Sequence, residues 1–162
     1  MRKVVIGFST PKDFKLASSL IRLFEGSEYS HIFIKMEASK KSPLPFDKVF
    51  QASHGDVNAV VYDVFKEGNK IFHEYEVEVE DSKYFEIAKW LWFQLGKPYG
   101  FKQLLGIAFN VKLSNNSDNR FICSELAGMV LKNHLSVDIS KSLDYIGLND
   151  IKKILEEMET NK

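Results

Sequence analysis

The chain of 162 residues has a single cysteine and no net charge, and each of these shortages excludes a kind of protein. With Cys123 as its only thiol, it forms no internal disulfide and no metal site that needs several thiolates. Its 22 basic and 22 acidic side chains cancel, so it lacks the positive surplus typical of proteins that bind nucleic acids or anionic membranes. We therefore expect neither a nucleic-acid partner nor a membrane partner.

Long apolar runs and cofactor motifs are also missing. The N-terminal run Val4–Phe8 is followed at once by polar residues and is too short for the core of a signal peptide. No later stretch reaches the ~20 apolar residues that cross a bilayer, which predicts a cytoplasmic protein. The sequence has no glycine-rich phosphate-binding loop and no pair of histidines at zinc-ligand spacing, so we expect no cofactor and no metal ion.

The sequence does have enough apolar material for one core. Hydrophobic residues make up 44% of the chain and aromatic residues 13%, which suits one compact domain of this length. No internal repeat and no linker-like segment divides the chain. We expect a single domain over residues 1–162.

Hydrophobic periodicity predicts an α+β fold with a mostly antiparallel sheet packed by helices. The predicted strands cover residues 3–8, 29–36, 49–53, 57–65 and 71–79. The predicted helices run from Pro11 to Gly26, from Asp81 to Gly96, and over 101–109, 122–134 and 148–158. The first two helices carry apolar residues at helical spacing, namely Phe14, Ala17, Leu20, Ile21 and Phe24 in one and Phe85, Ala88, Trp92 and Leu95 in the other. The stretch 37–46 and the polar tract 114–119 separate elements as surface segments.

Cys123 stands at the expected first turn of a helix, after a polar loop. A helix N-terminus favours an anion, so this position predicts a lowered thiol pKa and backbone N–H groups that stabilise a developing oxyanion. The alternative is a small buried hydrophobic residue, because free cysteine is among the most buried residue types.

Among the four histidines, His31 leads directly into an apolar strand, which would hold its imidazole rigidly at a strand end. His54 falls in a turn, and His73 and His134 lie within amphipathic elements and look structural. One histidine and one cysteine far apart in sequence suit a base and a nucleophile that folding brings together.

Several segments resemble one family, the permuted NlpC-type papain-like proteins. Residues 20–32 resemble the segment that ends with the family's active-site histidine, and Phe121-Ile122-Cys123-Ser124-Glu125-Leu126 resembles its cysteine motif. Residues 49–53 are similar to the strand that supplies a third polar residue, and Gly96-Lys97-Pro98-Tyr99 is similar to the turn before the cysteine helix. The histidine precedes the cysteine, which is the order of the lecithin retinol acyltransferase-like branch and of bacterial and phage relatives.

The resemblance implies a circularly permuted papain-like fold over about residues 3–135 and a role for each matching residue. Cys123 would be the nucleophile, His31 the general base, and Gln51 the polar group that orients the imidazole, with His54 as the alternative third residue. Tyr99 would lie near the site, toward the oxyanion or along the substrate groove.

The function implied is a cysteine peptidase or amidase that acts on a small peptide through an acyl-enzyme. The alternatives are an ester or lipid acyltransferase or thioesterase with the same site, and a non-catalytic binding protein whose Cys123 is buried and inert. For a membrane-associated acyltransferase, the candidate apolar patches are Trp90, Trp92, Phe93 and residues 104–109. A small peptide or acyl substrate is the expected partner, a bacterial or phage-encoded source suits the family, and the oligomeric state is left open.

Overall fold

A computed structural model describes residues 1–38, 46–53, 55–100 and 120–160. In these ranges the strands are β1 (Arg2–Pro11), β2 (His31–Met36), β3 (Lys48–Ser53), β4 (Asp56–Val61) and β5 (Asn69–Val79). The α-helices are α1 (Leu16–Glu25), α2 (Tyr62–Gly68), α3 (Asp81–Gln94), α4 (Cys123–Met129) and α5 (Leu148–Thr160). A π-helical turn, Val130–His134, continues α4, and a 3-10 turn covers Leu143–Tyr145. The predicted helix 101–109, the tract 114–119 and most of the loop 37–46 lie outside the described residues.

The strands form one five-stranded sheet in the order β4-β3-β2-β1-β5, and every neighbouring pair is antiparallel. The α+β class and the antiparallel sheet packed by helices are therefore confirmed. The two central strands β1 and β2 pair from Val4 opposite Met36 to Ser9 opposite His31. His31 thus begins a central strand, and its backbone is held by pairing with Ser9 of β1.

The two faces of the sheet are packed differently. One face is covered by α3, α4 and α5, which bury side chains such as Phe8, Ile34 and Phe50. The other face carries Phe33 and Val49, which pack against Phe65 of α2. Because side chains alternate along a strand, neighbours such as His31 and Ile32 project to opposite faces.

Gly7 marks a place where the sheet leaves no room for a side chain. A Cβ built on Gly7 would lie 2.1 Å from Cζ of Phe33, whose ring is fully buried. We expect Gly7→Ala to lower the free energy of unfolding by about 1–3 kcal/mol, since overpacking a filled core forces strain. Urea unfolding measures the effect, with Gly68→Ala as the control because nothing lies within 4 Å of its Cβ position. Equal unfolding midpoints for the two variants would contradict this account.

The predicted start of the first helix is wrong, and its apolar face is largely exposed. β1 continues through Pro11, whose missing N–H is tolerated at a strand end, and α1 begins at Leu16. Gly26 ends α1 in the left-handed conformation, as predicted. The helix has no buried residue, and the apolar side chains at 14, 20 and 24 are 82%, 43% and 48% exposed. Periodicity identified an amphipathic helix but not that its apolar face would stay largely uncovered.

The predicted strand 57–65 is also wrong in its second half. β4 ends at Val61, and the chain turns into α2, where the Tyr62 N–H donates to the Asp47 carbonyl at 2.9 Å. One turn of helix brings Phe65 back over the sheet, where its ring centroid lies 4.8 Å from that of Phe33. A tertiary aromatic contact therefore overrides the β propensity of this stretch.

In α3 the buried face is offset by about one position from the apolar residues that recur at helical spacing in the sequence. Tyr84, Ile87, Ala88 and Leu91 are buried, whereas Trp92 is 46% and Phe93 71% exposed. Within the part of the chain that the structure describes, no helix has both the length and the apolar character needed to cross a bilayer.

Candidate active site

His31 and Gln51 are brought together by neighbouring strands. β2 and β3 pair with Ile34 opposite Phe50, a register that continues to place Gln51 on the same face as His31. The distance between His31 Nε2 and Gln51 Oε1 is 2.7 Å, and Gln51 is 8% exposed. A short hydrogen bond therefore joins the two side chains that were predicted as the base and its orienting residue.

This hydrogen bond also determines the state of the imidazole. An amide oxygen only accepts, so Nε2 of His31 carries the proton that is donated to Gln51. In the neutral ring the other nitrogen, Nδ1, then carries the lone pair and is the nitrogen able to take up a proton. The arrangement suits a general base.

Gln51 has a second partner that the sequence analysis did not single out. Its Nε2 donates to Asn58 Oδ1 across the β3–β4 hairpin at 3.1 Å. The Asn58 amide in turn donates to the Ser53 carbonyl at 3.2 Å and to Asp56 Oδ1 at 3.1 Å. His31 thus stands at one end of a chain of side-chain hydrogen bonds that ends on two acceptors.

Cys123 begins α4, as predicted, but its thiol is buried. Ile122 is the N-cap residue, and Cys123 is 6% exposed. Burial raises the pKa of the Cys123 thiol to about 11, although backbone N–H groups, first of all that of Ile32, act in the opposite direction. The expectation of a lowered thiol pKa is therefore wrong for this structure, because desolvation outweighs the helix N-terminus.

The thiol and the imidazole approach the same end of β2 from different faces. The Cys123 sulfur interacts with the backbone N–H of Ile32, the residue directly after His31, and packs in the core cluster of that face. The His31 ring projects to the other face, 6.4 Å from the ring of Phe65. The structure thus places both residues at one strand end, while direct contact between sulfur and Nδ1 stays a prediction.

Tyr99 connects the two halves of the site. It forms a parallel bridge with Phe121, and its N–H donates to the Gly55 carbonyl at 2.8 Å. Burial raises the pKa of its hydroxyl far above the ordinary value, and the neighbouring Cys123 adds to the rise. A neutral phenol beside the thiol can donate a hydrogen bond toward charge that develops there.

A cavity of about 280 Å³ opens beside the imidazole. The sheet side of its wall includes His31, Gln51 and Tyr99, and α1 supplies Ala17, Ser18 and Ile21. Three of the four predicted site residues therefore line one cavity. Cys123 lies near Tyr99, within the core.

His54, the alternative third residue, lies outside the described residues. Within the ranges 1–38, 46–53, 55–100 and 120–160, no cluster of three or more histidine, cysteine, aspartate or glutamate side chains is arranged to hold a metal ion. The described part of the site is therefore built from a thiol, an imidazole, amides and a phenol.

Fold and site together define a mixed α+β protein in which a cysteine begins a helix packed on a five-stranded antiparallel sheet, near a histidine held by a glutamine. Among solved structures, the chain is similar to the metalloprotein YiiX from Escherichia coli O157:H7, with a TM-score of 0.60 and 22% sequence identity over 97% of this chain and 81% of that one. At this identity the similarity shows a shared fold. No protein-family model and no curated protein matches the chain.

Proposed function

We propose that the protein is a cysteine hydrolase of the permuted NlpC-type papain-like class, which cleaves an amide bond in a small peptide. The observation that carries the proposal is the 2.7 Å hydrogen bond from His31 Nε2 to Gln51. It orients an imidazole with a basic Nδ1 at the strand end where the thiol of Cys123 meets the backbone of Ile32. A histidine oriented by a neutral amide is a recurring feature of cysteine nucleophile sites.

The proposed reaction begins when His31 Nδ1 takes the proton of the Cys123 thiol and the sulfur attacks the substrate carbonyl. The resulting oxyanion accepts hydrogen bonds from the Cys123 backbone N–H and from the Tyr99 hydroxyl. The C–N bond then breaks, the imidazolium protonates the departing amine, and a thioester remains on Cys123. Water attacks the thioester with His31 as base, which releases the carboxylic acid and restores the thiol.

Burial of the Cys123 thiol determines when its proton is transferred to His31. With its pKa raised to about 11, Cys123 is protonated in the resting protein at neutral pH. Proton transfer to His31 therefore accompanies attack on the substrate, since a thiolate is not already present. Gln51, which has no charge, stabilises an imidazolium less than a carboxylate would, and this agrees with a neutral resting pair.

Acyl-enzyme formation tests the proposal directly. With p-nitrophenyl acetate as the acyl donor, we expect one acetyl group on Cys123, detected by intact-protein and peptide mass spectrometry. Cys123→Ala should form no adduct, and His31→Ala should acylate about a hundredfold more slowly, because general-base assistance contributes 10²–10⁴ in rate. His73→Ala is the matched control, since His73 is exposed on β5. Equal acylation of the His31 and His73 variants would refute the assignment.

Acyl transfer from a lipid is a second candidate, favoured by the exposed apolar side chains of α1. The helix forms part of the cavity wall, and Leu20, Leu23 and Phe24 next to it are 43%, 74% and 48% exposed. Hydrolysis and transfer are distinguished by the fate of the thioester, which passes to water in one case and to an added alcohol or amine in the other. Absence of any adduct on wild-type Cys123 would instead support the non-catalytic alternative, which the burial of this residue also fits.

A further inference from the structure

Asn58 determines which groups donate and which accept in the chain of hydrogen bonds that connects it through Gln51 to His31. The two groups that accept from its amide, the Ser53 carbonyl and the Asp56 carboxylate, have no proton to give. Asn58 must therefore present Nδ2 to them and Oδ1 to Gln51. If the Asn58 amide turned over, its oxygen would face two acceptors.

The orientation of Asn58 in turn fixes the orientation of the Gln51 amide. Since Asn58 offers only an oxygen, Gln51 must present Nε2 to Asn58, 3.1 Å away, and Oε1 to His31. If Gln51 turned over, two oxygens would meet at Asn58 and a donor would face His31 Nε2. The ring would then be protonated on Nδ1, the nitrogen that the reaction needs as a base.

We propose that Asn58, held by Asp56 and the Ser53 carbonyl, is a positioning residue that fixes Gln51 and thereby keeps His31 in the tautomer protonated on Nε2. The tautomer follows from geometry alone, whereas its importance for catalysis rests on the function proposed above. Asn58 is not among the residues that line the cavity, and its side chain accepts a hydrogen bond from Gln51, so it acts on His31 through Gln51.

The tautomer is measured by NMR of protein labelled with ¹⁵N in its histidine rings, where protonated and unprotonated nitrogens give separate shifts. Signals of His31 are assigned as those missing from His31→Gln. Above the pH at which the ring titrates, we expect wild-type His31 to be protonated on Nε2 and unprotonated on Nδ1. A wild-type ring protonated on Nδ1 would overturn the proposal without any further variant.

Two variants test the role of Asn58 itself. Asn58→Leu removes the acceptor, and we expect a mixture of both tautomers and acylation by p-nitrophenyl acetate that is slower by about tenfold or more, because the wrong tautomer cannot act as base. The exchange Asp56→Asn with Asn58→Asp supplies an acceptor-only group at position 58 again. It should restore the wild-type tautomer, although at a lower stability, because a carboxylate oxygen then replaces the amide donor that faces the Ser53 carbonyl.

The outcomes separate this proposal from the proposed function. An unchanged tautomer in folded Asn58→Leu, or the same mixture in the exchange variant, would overturn the role of Asn58. If Asn58→Leu does not fold, the His31 tautomer in the wild type and in the exchange variant still tests the role of Asn58. A tautomer that follows the prediction in a protein that forms no acyl-enzyme would uphold the positioning role and refute the hydrolase.

Discussion

Alkylation of Cys123 by iodoacetamide is expected to be slow at pH 7 and to accelerate about tenfold per pH unit until the pH approaches the thiol pKa of about 11. Only the thiolate reacts, and burial keeps the thiol protonated. The two units between the ordinary value of 9 and about 11 make the reaction at neutral pH about a hundredfold slower than in the unfolded chain. The measurement is the rate of mass increase at each pH, in buffer and in denaturant.

His31→Ala is the informative companion in this experiment. If desolvation sets the thiol pKa, the variant should show the same dependence on pH as the wild type. An acid-side plateau in the wild type that disappears in His31→Ala would mean that a thiolate–imidazolium pair already exists in the resting protein. That result would support catalysis while contradicting the dominance of burial at Cys123.

The second large effect is a loss of stability at alkaline pH. Burial raises the pKa of Cys123 to about 11 and that of Tyr75 to about 12. Both groups stay neutral in the folded protein at pH values where the unfolded chain releases their protons, so the free energy of unfolding falls as pH rises above about 9. Ionisation of Cys123 accounts for about 2–3 kcal/mol of this fall in the free energy of unfolding once the pH passes 11.

Urea unfolding at pH 7, 9 and 11 measures this dependence. Cys123→Ala is the control, because it removes the contribution of the thiol and keeps the buried Tyr75. We expect the wild type to lose more stability between pH 9 and pH 11 than the variant does. Parallel losses in the two proteins would show that the Cys123 thiol ionises equally well in the folded and unfolded states.

The parts of the fold that follow from local sequence were predictable. β-branched and aromatic runs identified all five strands, one of them too long by residues 62–65, and alternation of glutamates with Tyr75, Val77 and Val79 marked β5 as half-buried. Gly26 ended α1 because glycine adopts the left-handed conformation without strain. The pairing of His31 with Gln51 came from the resemblance and is supported by a hydrogen bond.

Other features depend on tertiary contacts that composition does not encode. The chain leaves β4 at Val61 and Phe65 then reaches Phe33, while the apolar stripe of α1 stays largely exposed, with Ile21 packed partly buried against the core. The raised pKa of Cys123 depends on how deeply α4 is packed, which the helix position alone does not reveal.

Asn58 is a different case, because a usable signal was present. The turn after Ser53 predicts a hairpin, and two residues between Ser53 and Asp56 set these two opposite each other. Counting back along both strands places Gln51 opposite Asn58. Working out the register of this hairpin would have identified the third amide from sequence.

The sparse packing of α1 has a consequence for what the cavity can admit. Local opening of a protein costs free energy in proportion to the buried contacts it breaks, and α1 has no buried residue to expose. This wall is held by few contacts, among them the partly buried Ile21 and the hydrogen bond from the Leu148 N–H to Glu25, whereas the opposite wall includes the buried Gln51. We therefore expect a molecule larger than the cavity of about 280 Å³ to displace α1 before it displaces the strands that carry His31 and Gln51.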